Sequence, residues 1–162
     1  MVQKSTVKVV AMPTEVAERA RKTLKDDFGH ALIPEIVDGV APCRHCLRIA
    51  PAGTRMILLS YRPFPADNGP YCEVGPVFIH AEPCERYSSE NAIPQDFAPR
   101  ELVVRAYTRN NAIHDSTIAP PGTALDRAAS FLENPQVAYV HVRNTTYTCF
   151  DFQIERGANE LP

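Results

Sequence analysis

The sequence predicts an α+β fold: a single domain with a mostly antiparallel sheet, two main helices and a treble-clef-like zinc knuckle. Three observations lead to this prediction. Segments with strand character outnumber helical segments. Several strands are joined by connections that are too short to contain crossover helices. Two short pairs of cysteine and histidine ligands also flank a predicted strand hairpin. Because 162 residues is the length of one domain, we expect 1–162 to form a single α+β domain.

The predicted strands are short segments rich in β-branched or apolar residues. They are Thr6–Ala11, Met56–Tyr61, Val77–Ile79, Glu101–Thr108, Ile113–Ala119, Gln136–Arg143 and Tyr147–Glu155. Residues 30–41, 62–76 and 88–99 are predicted to be loops, and the second of these is a long connection rich in proline, glycine and asparagine.

Two helices are predicted from apolar residues at helical spacing. The first opens at Pro13 and is expected to stop at Gly29. The second starts at Thr123, where Asp126 gives the spacing of a capping box, and it stops at Asn134. The apolar stripes consist of Val16, Ala17, Ala20, Leu24 and Phe28 in the first helix, and of Leu125, Ala128, Ala129 and Leu132 in the second.

The composition excludes several classes of protein. Hydrophobic residues make up 44% of the chain and charged residues 22%, which rules out a disordered or collagen-like protein. A net charge of −2 gives no reason to expect nucleic acid or an anionic membrane as a partner. The apolar runs are too short to span a membrane or to form a signal-peptide core. We therefore expect a cytoplasmic protein with reduced cysteines.

The strongest functional pattern is a candidate zinc site. Cys43 and Cys46 form a C-x-x-C pair, and His80 and Cys84 form an H-x-x-x-C pair. Zinc prefers four sulfur or nitrogen ligands in a tetrahedron, and closely spaced pairs let each half of the site come from one turn. Pro83 suits the first turn of a helix, and a helix there would bring His80 close to Cys84. A complete set of four ligands leaves no position for water, which favours a structural site.

The spacing leaves other interpretations of these residues open. Cys43 and Cys46 can be a redox pair, although the strand and helix that usually surround such a pair are missing. All four residues can also be ordinary packed side chains. His45, inside the first turn, or Cys72, in the long loop, can replace one of the ligands. An incomplete set of ligands would leave room for a zinc-bound water and hydrolytic chemistry.

The last two predicted strands form a terminal hairpin with one apolar face. Even-numbered residues are apolar and should contact the core, whereas odd-numbered residues are mostly polar. A three-residue loop would place Arg143 opposite Tyr147 and His141 opposite Cys149. Because an imidazolium lowers the pKa of a neighbouring thiol, Cys149 and His141 are candidate catalytic residues. The same polar face can instead be a solvated surface or a ligand-binding surface.

Three arginines are candidate ligand-binding residues. Arg62 follows a predicted strand, while Arg105 and Arg143 lie within two others. Arginine binds carboxylates and phosphates with two parallel hydrogen bonds. If the strands of Arg105 and Arg143 are neighbours, these two side chains can hold an anion between them.

Three segments resemble the bacterial family catalogued as domain of unknown function 1203. They are Pro42–Leu47, Leu58–Phe64 and Gly75–Cys84, and the segments around His141–Asn144 and Cys149–Phe150 are also similar. The resemblance extends over most of the chain. It implies a small bacterial cytosolic protein and supplies no reaction.

The resulting functional prediction is an uncharacterised bacterial protein with a structural zinc site that fixes the long 62–76 loop near the sheet. Its role would be to bind a partner or a small anionic ligand. Two alternatives remain. One is an enzyme that uses an open zinc site or a Cys149–His141 thiol pair, and the other is a metal-free interaction module. The sequence identifies no substrate, partner or oligomeric state.

Overall fold

The computed structural model describes residues 6–65 and 69–158. The strands are β1 (Val7–Val10), β2 (Glu35–Ile36), β3 (Ala41–Pro42), β4 (Ile49–Ala50), β5 (Arg55–Tyr61), β6 (Gly75–His80), β7 (Ser88–Glu90), β8 (Leu102–Thr108), β9 (Ile113–Ala119), β10 (Val137–Asn144) and β11 (Phe150–Arg156). The helices are α1 (Thr14–Thr23) and α2 (Ala124–Leu132). These elements confirm the predicted α+β class.

Two predicted loops, 30–41 and 88–99, contain the short strands β2, β3 and β7, and part of the third, 66–68, lies outside the described residues. Within the described ranges, no helix has the length and apolar character needed to cross a membrane.

The largest sheet has six antiparallel strands in the order β7-β1-β11-β10-β8-β9. Helix α2 packs against one face of this sheet, mainly on β8 and β10. Four even-numbered residues of the terminal hairpin point to that face and are fully buried, as predicted: Val140, Val142, Phe152 and Ile154. This face forms the first hydrophobic cluster of the protein. The prediction is wrong for Thr148, which is exposed, and for Phe150, whose ring packs beside His141 on the opposite face.

A second hydrophobic cluster is built around a smaller sheet, with strand order β2-β5-β6. Helix α1 contributes Ala17 and Ala20 to this cluster, and β5 and β6 contribute Ile57 and Ile79. Strands β3 and β4 form a separate two-stranded hairpin. We call residues 41–50 the knuckle, since they comprise this hairpin and its turn. The knuckle cysteines belong to the second cluster and Cys84 packs against it, so three of the four candidate metal residues adjoin a core.

The odd-numbered face of the terminal hairpin is also buried, so the possibility that it is a solvated surface is wrong. His141 and Asp151 are fully buried and Arg143 is nearly so. The β5–β6 hairpin and the residues that follow β5 cover this face. The ring of Phe64 lies 4.9 Å from that of His141, and the ring of Tyr61 lies 5.9 Å from that of Phe150. The central sheet is therefore packed on both sides.

The predicted register of the terminal hairpin is wrong. His141 pairs with Gln153 rather than with Cys149, and Arg143 pairs with Phe150 after an irregularity in the ladder. The loop spans five residues, 145–149, because the Asn144 side-chain oxygen accepts hydrogen bonds from the backbone N–H groups of two loop residues, 147 and 148. The even-numbered faces stay aligned as far as Val142 and Phe152, and the irregularity then moves Phe150 to the face of His141 and Arg143.

Helix α1 ends earlier than predicted, and the start of α2 lacks the predicted capping hydrogen bond. Helix α1 ends at Thr23 rather than near Gly29, because Leu24 adopts a left-handed conformation and its N–H bonds to the Ala20 carbonyl. The Asp26 carboxylate then accepts hydrogen bonds from nearby backbone N–H groups, which fix a turn in place of further helix. In α2, the capping-box hydrogen bond is absent and the hydroxyl of the residue at position 123 donates to the backbone carbonyl at 120.

Candidate metal centre

The knuckle turn directs two cysteine sulfurs to the same side of the hairpin. The Cys43 N–H donates to the Arg48 carbonyl, and the Leu47 N–H donates to the Cys43 carbonyl. Leu47 adopts a left-handed conformation with φ of 55°. These bonds close a tight turn around Cys43 and Cys46, and both side chains are buried.

The second ligand pair lies at the end of β6, next to the knuckle. A parallel bridge joins Cys43 to Phe78, and the Arg44 N–H donates to the Phe78 carbonyl at 2.9 Å. His80 is the last residue of β6, and a bend leads from it to Cys84. The helix expected at Pro83 is not formed. After the bend, the chain has no regular secondary structure before β7. The bend brings Cys84 close to His80 without a helical turn.

The structure brings the four predicted metal ligands together. One ligand atom from each of Cys43, Cys46, His80 and Cys84 lies within 4.8 Å of all the others. The sulfurs of Cys43 and Cys84 are 3.9 Å apart, and the Cys46 sulfur is 3.5 Å from His80 Nδ1. A tetrahedral zinc ion would separate its ligands by roughly 3.8 Å between sulfurs and roughly 3.5 Å between sulfur and nitrogen. We call these residues the Cys3His cluster; its dimensions fit a metal ion.

The three thiols of the Cys3His cluster shift one another's pKa values. Hydrogen bonds from the thiols of Cys46 and Cys84 lower the pKa of Cys43. The same contacts with Cys43 raise the pKa of Cys46 and the pKa of Cys84. In the absence of a cation, only one of the three sulfurs is readily ionised. A bound metal ion would supply the positive charge that lets all three become thiolates.

Two polar side chains, Arg21 and His45, are directed at the Cys84 sulfur. Arg21 of α1 donates from Nη2 to the Cys84 sulfur at 3.2 Å and from Nε to the His80 carbonyl at 3.0 Å. His45 Nδ1 lies 3.1 Å from the same sulfur, and His45 Nε2 accepts from the Thr14 hydroxyl at 2.9 Å. Burial lowers the pKa of His45 and Arg21 acts in the same direction, which favours a neutral imidazole.

The two alternative ligands considered from the sequence do not join the cluster. Among the described residues, the set that converges on one point contains neither His45 nor Cys72. His45 instead contacts the sulfur of a ligand, as a residue outside the coordination sphere of a metal commonly does. Arg21 was not predicted, because its contacts with His80 and Cys84 depend on how α1 packs beside the end of β6.

His141 and Cys149 are not paired as the predicted register required. The His141 Nε2 atom lies 3.2 Å from the Gln153 side-chain oxygen, and the Cys149 sulfur contacts the Tyr147 carbonyl at 3.8 Å. Burial lowers the pKa of His141 to about 3, with a further contribution from Arg143. The imidazole is therefore neutral near pH 7 and supplies no positive charge to a thiol.

Two of the three candidate arginines meet at one carboxylate. Arg105 and Arg143 lie on the adjacent strands β8 and β10. Their Nη1 atoms are 3.3 Å and 3.1 Å from the two carboxylate oxygens of Glu73. Arg62 is half-buried directly after β5. Glu73 was missed in the sequence, since a single acidic residue in a long loop carries no pattern.

A cleft of about 220 Å³ lies between the β5–β6 hairpin and the β10–β11 loop. We call it the hairpin cleft. Its lining includes Tyr61, Glu73, Val77, Arg143, Cys149 and Phe150. The cleft thus combines one buried guanidinium with apolar and aromatic walls.

Residues 40–156 match the family model described as "Protein of unknown function (DUF1203)". The chain belongs to this family. The match confirms the resemblance found in the sequence, and the DUF1203 range contains the whole Cys3His cluster and all three candidate arginines. No curated protein and no solved structure matches this DUF1203 chain.

Proposed function

We propose that this DUF1203 protein binds one zinc ion through Cys43, Cys46, His80 and Cys84, and that the ion has a structural role. The observation that carries the proposal is the convergence of four ligand atoms within 4.8 Å of one another. Three thiolates and one imidazole form a donor set that zinc prefers. Four protein ligands fill a tetrahedron, so no position remains for a reactive water.

The zinc ion would fasten the knuckle to the end of β6. These two segments are distant in sequence and are joined by the bridge between Cys43 and Phe78 and by the hydrogen bond from Arg44 to Phe78. A metal bridge between them would hold the β5–β6 hairpin in place over the central sheet. Because the site does not exist in an unfolded chain, zinc binding contributes to folding free energy.

The biological role that we propose is the binding of a small anionic ligand in the hairpin cleft. The support for this role is the position of Arg143 in the wall of the cleft and the proximity of Arg105. In this account, zinc keeps the wall formed by β6 in place, and the arginines attract the ligand. We also propose a reducing, cytoplasmic location, since zinc binding requires the three cysteines of the cluster as thiols or thiolates.

Metal analysis of the purified full-length protein tests the zinc proposal. We expect about one zinc ion per chain, and we expect a chelator to lower the midpoint of thermal unfolding. Cys43→Ser should lose the metal, whereas the matched variant Cys72→Ser should retain it, because Cys72 lies outside the cluster. A folded, metal-free protein that is unaffected by chelator would overturn the proposal.

A further inference from the structure

We propose that the hairpin cleft binds a small carboxylate, and that Glu73 is an internal carboxylate which this ligand displaces from Arg105 and Arg143. The inference rests on the proposed anion-binding role. It specifies the chemical class of the ligand and the residue that competes with it.

The contacts of Glu73 show that the two arginines are spaced for a single carboxylate. One oxygen of Glu73 lies 3.3 Å from Arg105 Nη1, and the other lies 3.1 Å from Arg143 Nη1. The carboxylate therefore bridges two guanidinium groups that project from adjacent strands. A ligand carboxylate that takes the same position would find both donors already oriented.

Arg143 retains hydrogen-bonding capacity that Glu73 does not use. Its side chain is 7% exposed, and its Nη1 donates to the Thr148 carbonyl as well as contacting Glu73. Its Nε is buried and has no hydrogen-bond partner among the described residues. A buried donor without a partner is unfavourable. Nε and Nη1 lie on different edges of the guanidinium, so a second acceptor oxygen of the ligand, rather than the carboxylate that replaces Glu73, would satisfy this donor.

Glu73 can leave the arginines at little cost to packing. Its side chain is 51% exposed and lies in the connection before β6, outside both hydrophobic clusters. The arginines are held more firmly, since Arg105 is 21% exposed and Arg143 only 7%. Displacement therefore moves the exposed carboxylate and leaves the buried guanidinium in place.

The size and lining of the cleft limit the ligand further. A volume of about 220 Å³ is smaller than the roughly 300–1,000 Å³ of sites that hold drug-sized molecules. Tyr61, Val77 and Phe150 provide apolar and aromatic surface beside the guanidinium. These features fit a carboxylate with a short apolar or aromatic body.

The test is a calorimetric titration of the zinc-loaded full-length protein with benzoate, and with benzamide as the uncharged counterpart. We expect benzoate to bind and benzamide not to bind. Glu73→Gln removes the competing charge and should bind benzoate about tenfold more tightly than the unmodified protein. Glu133→Gln, an exposed change beyond α2, is the matched control and should leave the affinity unchanged. Arg105→Gln should weaken binding about tenfold, and it disturbs the fold less than a change at the buried Arg143.

Each outcome is informative. The inference is supported if Glu73→Gln binds benzoate more tightly than the unmodified protein does and Glu133→Gln does not. If the unmodified protein binds benzoate and Glu73→Gln binds it equally or more weakly, displacement of Glu73 is wrong and the anion-binding role stands. If neither protein binds benzoate or inorganic phosphate, the anion-binding role itself fails. Zinc content measured on the same samples reports separately on the metal proposal.

Discussion

Arg44 of the knuckle forms a buried ion pair with Asp151 of β11. The Arg44 Nη2 atom lies 3.2 Å from Asp151 Oδ1, and the two side chains are 3% and 0% exposed. Arg44 also donates from Nε to the Phe150 carbonyl and from Nη1 to the Pro42 carbonyl. Burial raises the pKa of Asp151 to about 6, and Arg44 opposes this effect. Since Arg44 directly follows Cys43, this pair connects the candidate metal centre to the central sheet.

The loss of this pair should destabilise the protein. Arg44→Met removes the guanidinium and leaves Asp151 buried without its counter-charge, so we expect the free energy of unfolding to fall by about 3–5 kcal/mol. Urea denaturation of the zinc-loaded protein measures the change. Arg48→Met, an exposed change in the same knuckle, should alter stability by no more than about 0.5 kcal/mol. Equal effects from the two variants would show that the pair does not couple knuckle and sheet.

The stability of the protein should depend on pH through His141. Burial lowers the pKa of His141 to about 3 in the folded state, whereas an unfolded histidine titrates near 6.5. As pH falls from 7 to 5, the unfolded chain binds a proton at this residue that the folded protein does not bind, so the folded protein loses stability.

The measurement is the free energy of unfolding at pH 7 and at pH 5. His141→Gln removes the proton-binding group, so the unmodified protein should lose about 2 kcal/mol more than this variant over the interval. His114→Gln, on the exposed edge strand β9, is the control, and its pH dependence should stay close to that of the unmodified protein. If His141→Gln leaves the pH dependence unaltered, the histidine titrates equally in both states.

Arg21 should increase the affinity of the Cys3His cluster for zinc. Its guanidinium donates to the Cys84 sulfur and to the His80 carbonyl. Residues that support metal ligands in this way typically change metal affinity by about 10–100-fold, and we expect Arg21→Gln to lie within that range. Competition with a chromophoric chelator measures the affinity. Arg19→Gln, on the same helix but paired with Asp27 at the surface, should bind zinc as the unmodified protein does.

Cys149 should react with alkylating agents independently of His141. The imidazole is neutral near pH 7 and contacts Gln153, so it does not stabilise a thiolate at Cys149. We expect the labelling rate of Cys149, followed by mass spectrometry, to be the same in His141→Gln as in the unmodified protein. A clear fall in the rate would restore the thiol–imidazole pair as a candidate catalytic unit.

Local patterns in the sequence predicted much of the fold and the four residues of the Cys3His cluster. The alternation in the terminal hairpin correctly identified Val140, Val142, Phe152 and Ile154 as core residues, because side chains in a strand point to opposite sides in turn. The spacing of the C-x-x-C and H-x-x-x-C pairs correctly identified the four residues that converge. Both signals depend only on near neighbours in the chain.

The features that were missed depend on contacts between distant segments. The hairpin register was wrong because the Asn144 side chain stabilises a longer loop. The polar face that includes His141 is buried because the β5–β6 hairpin lies over it. Neither the pairing of Arg44 with Asp151 nor that of Glu73 with Arg143 has a pattern in the sequence. These pairs exist only once the knuckle and the hairpin have packed onto the central sheet.

X-ray absorption at the zinc edge, combined with metal quantitation of the purified protein, tests the central claim most directly. We expect about one zinc ion per chain, with three sulfur neighbours at about 2.3 Å and one nitrogen neighbour at about 2.0 Å. A water or carboxylate oxygen in place of one of these ligands would contradict the structural role. A fully folded chain without bound metal would contradict the site itself.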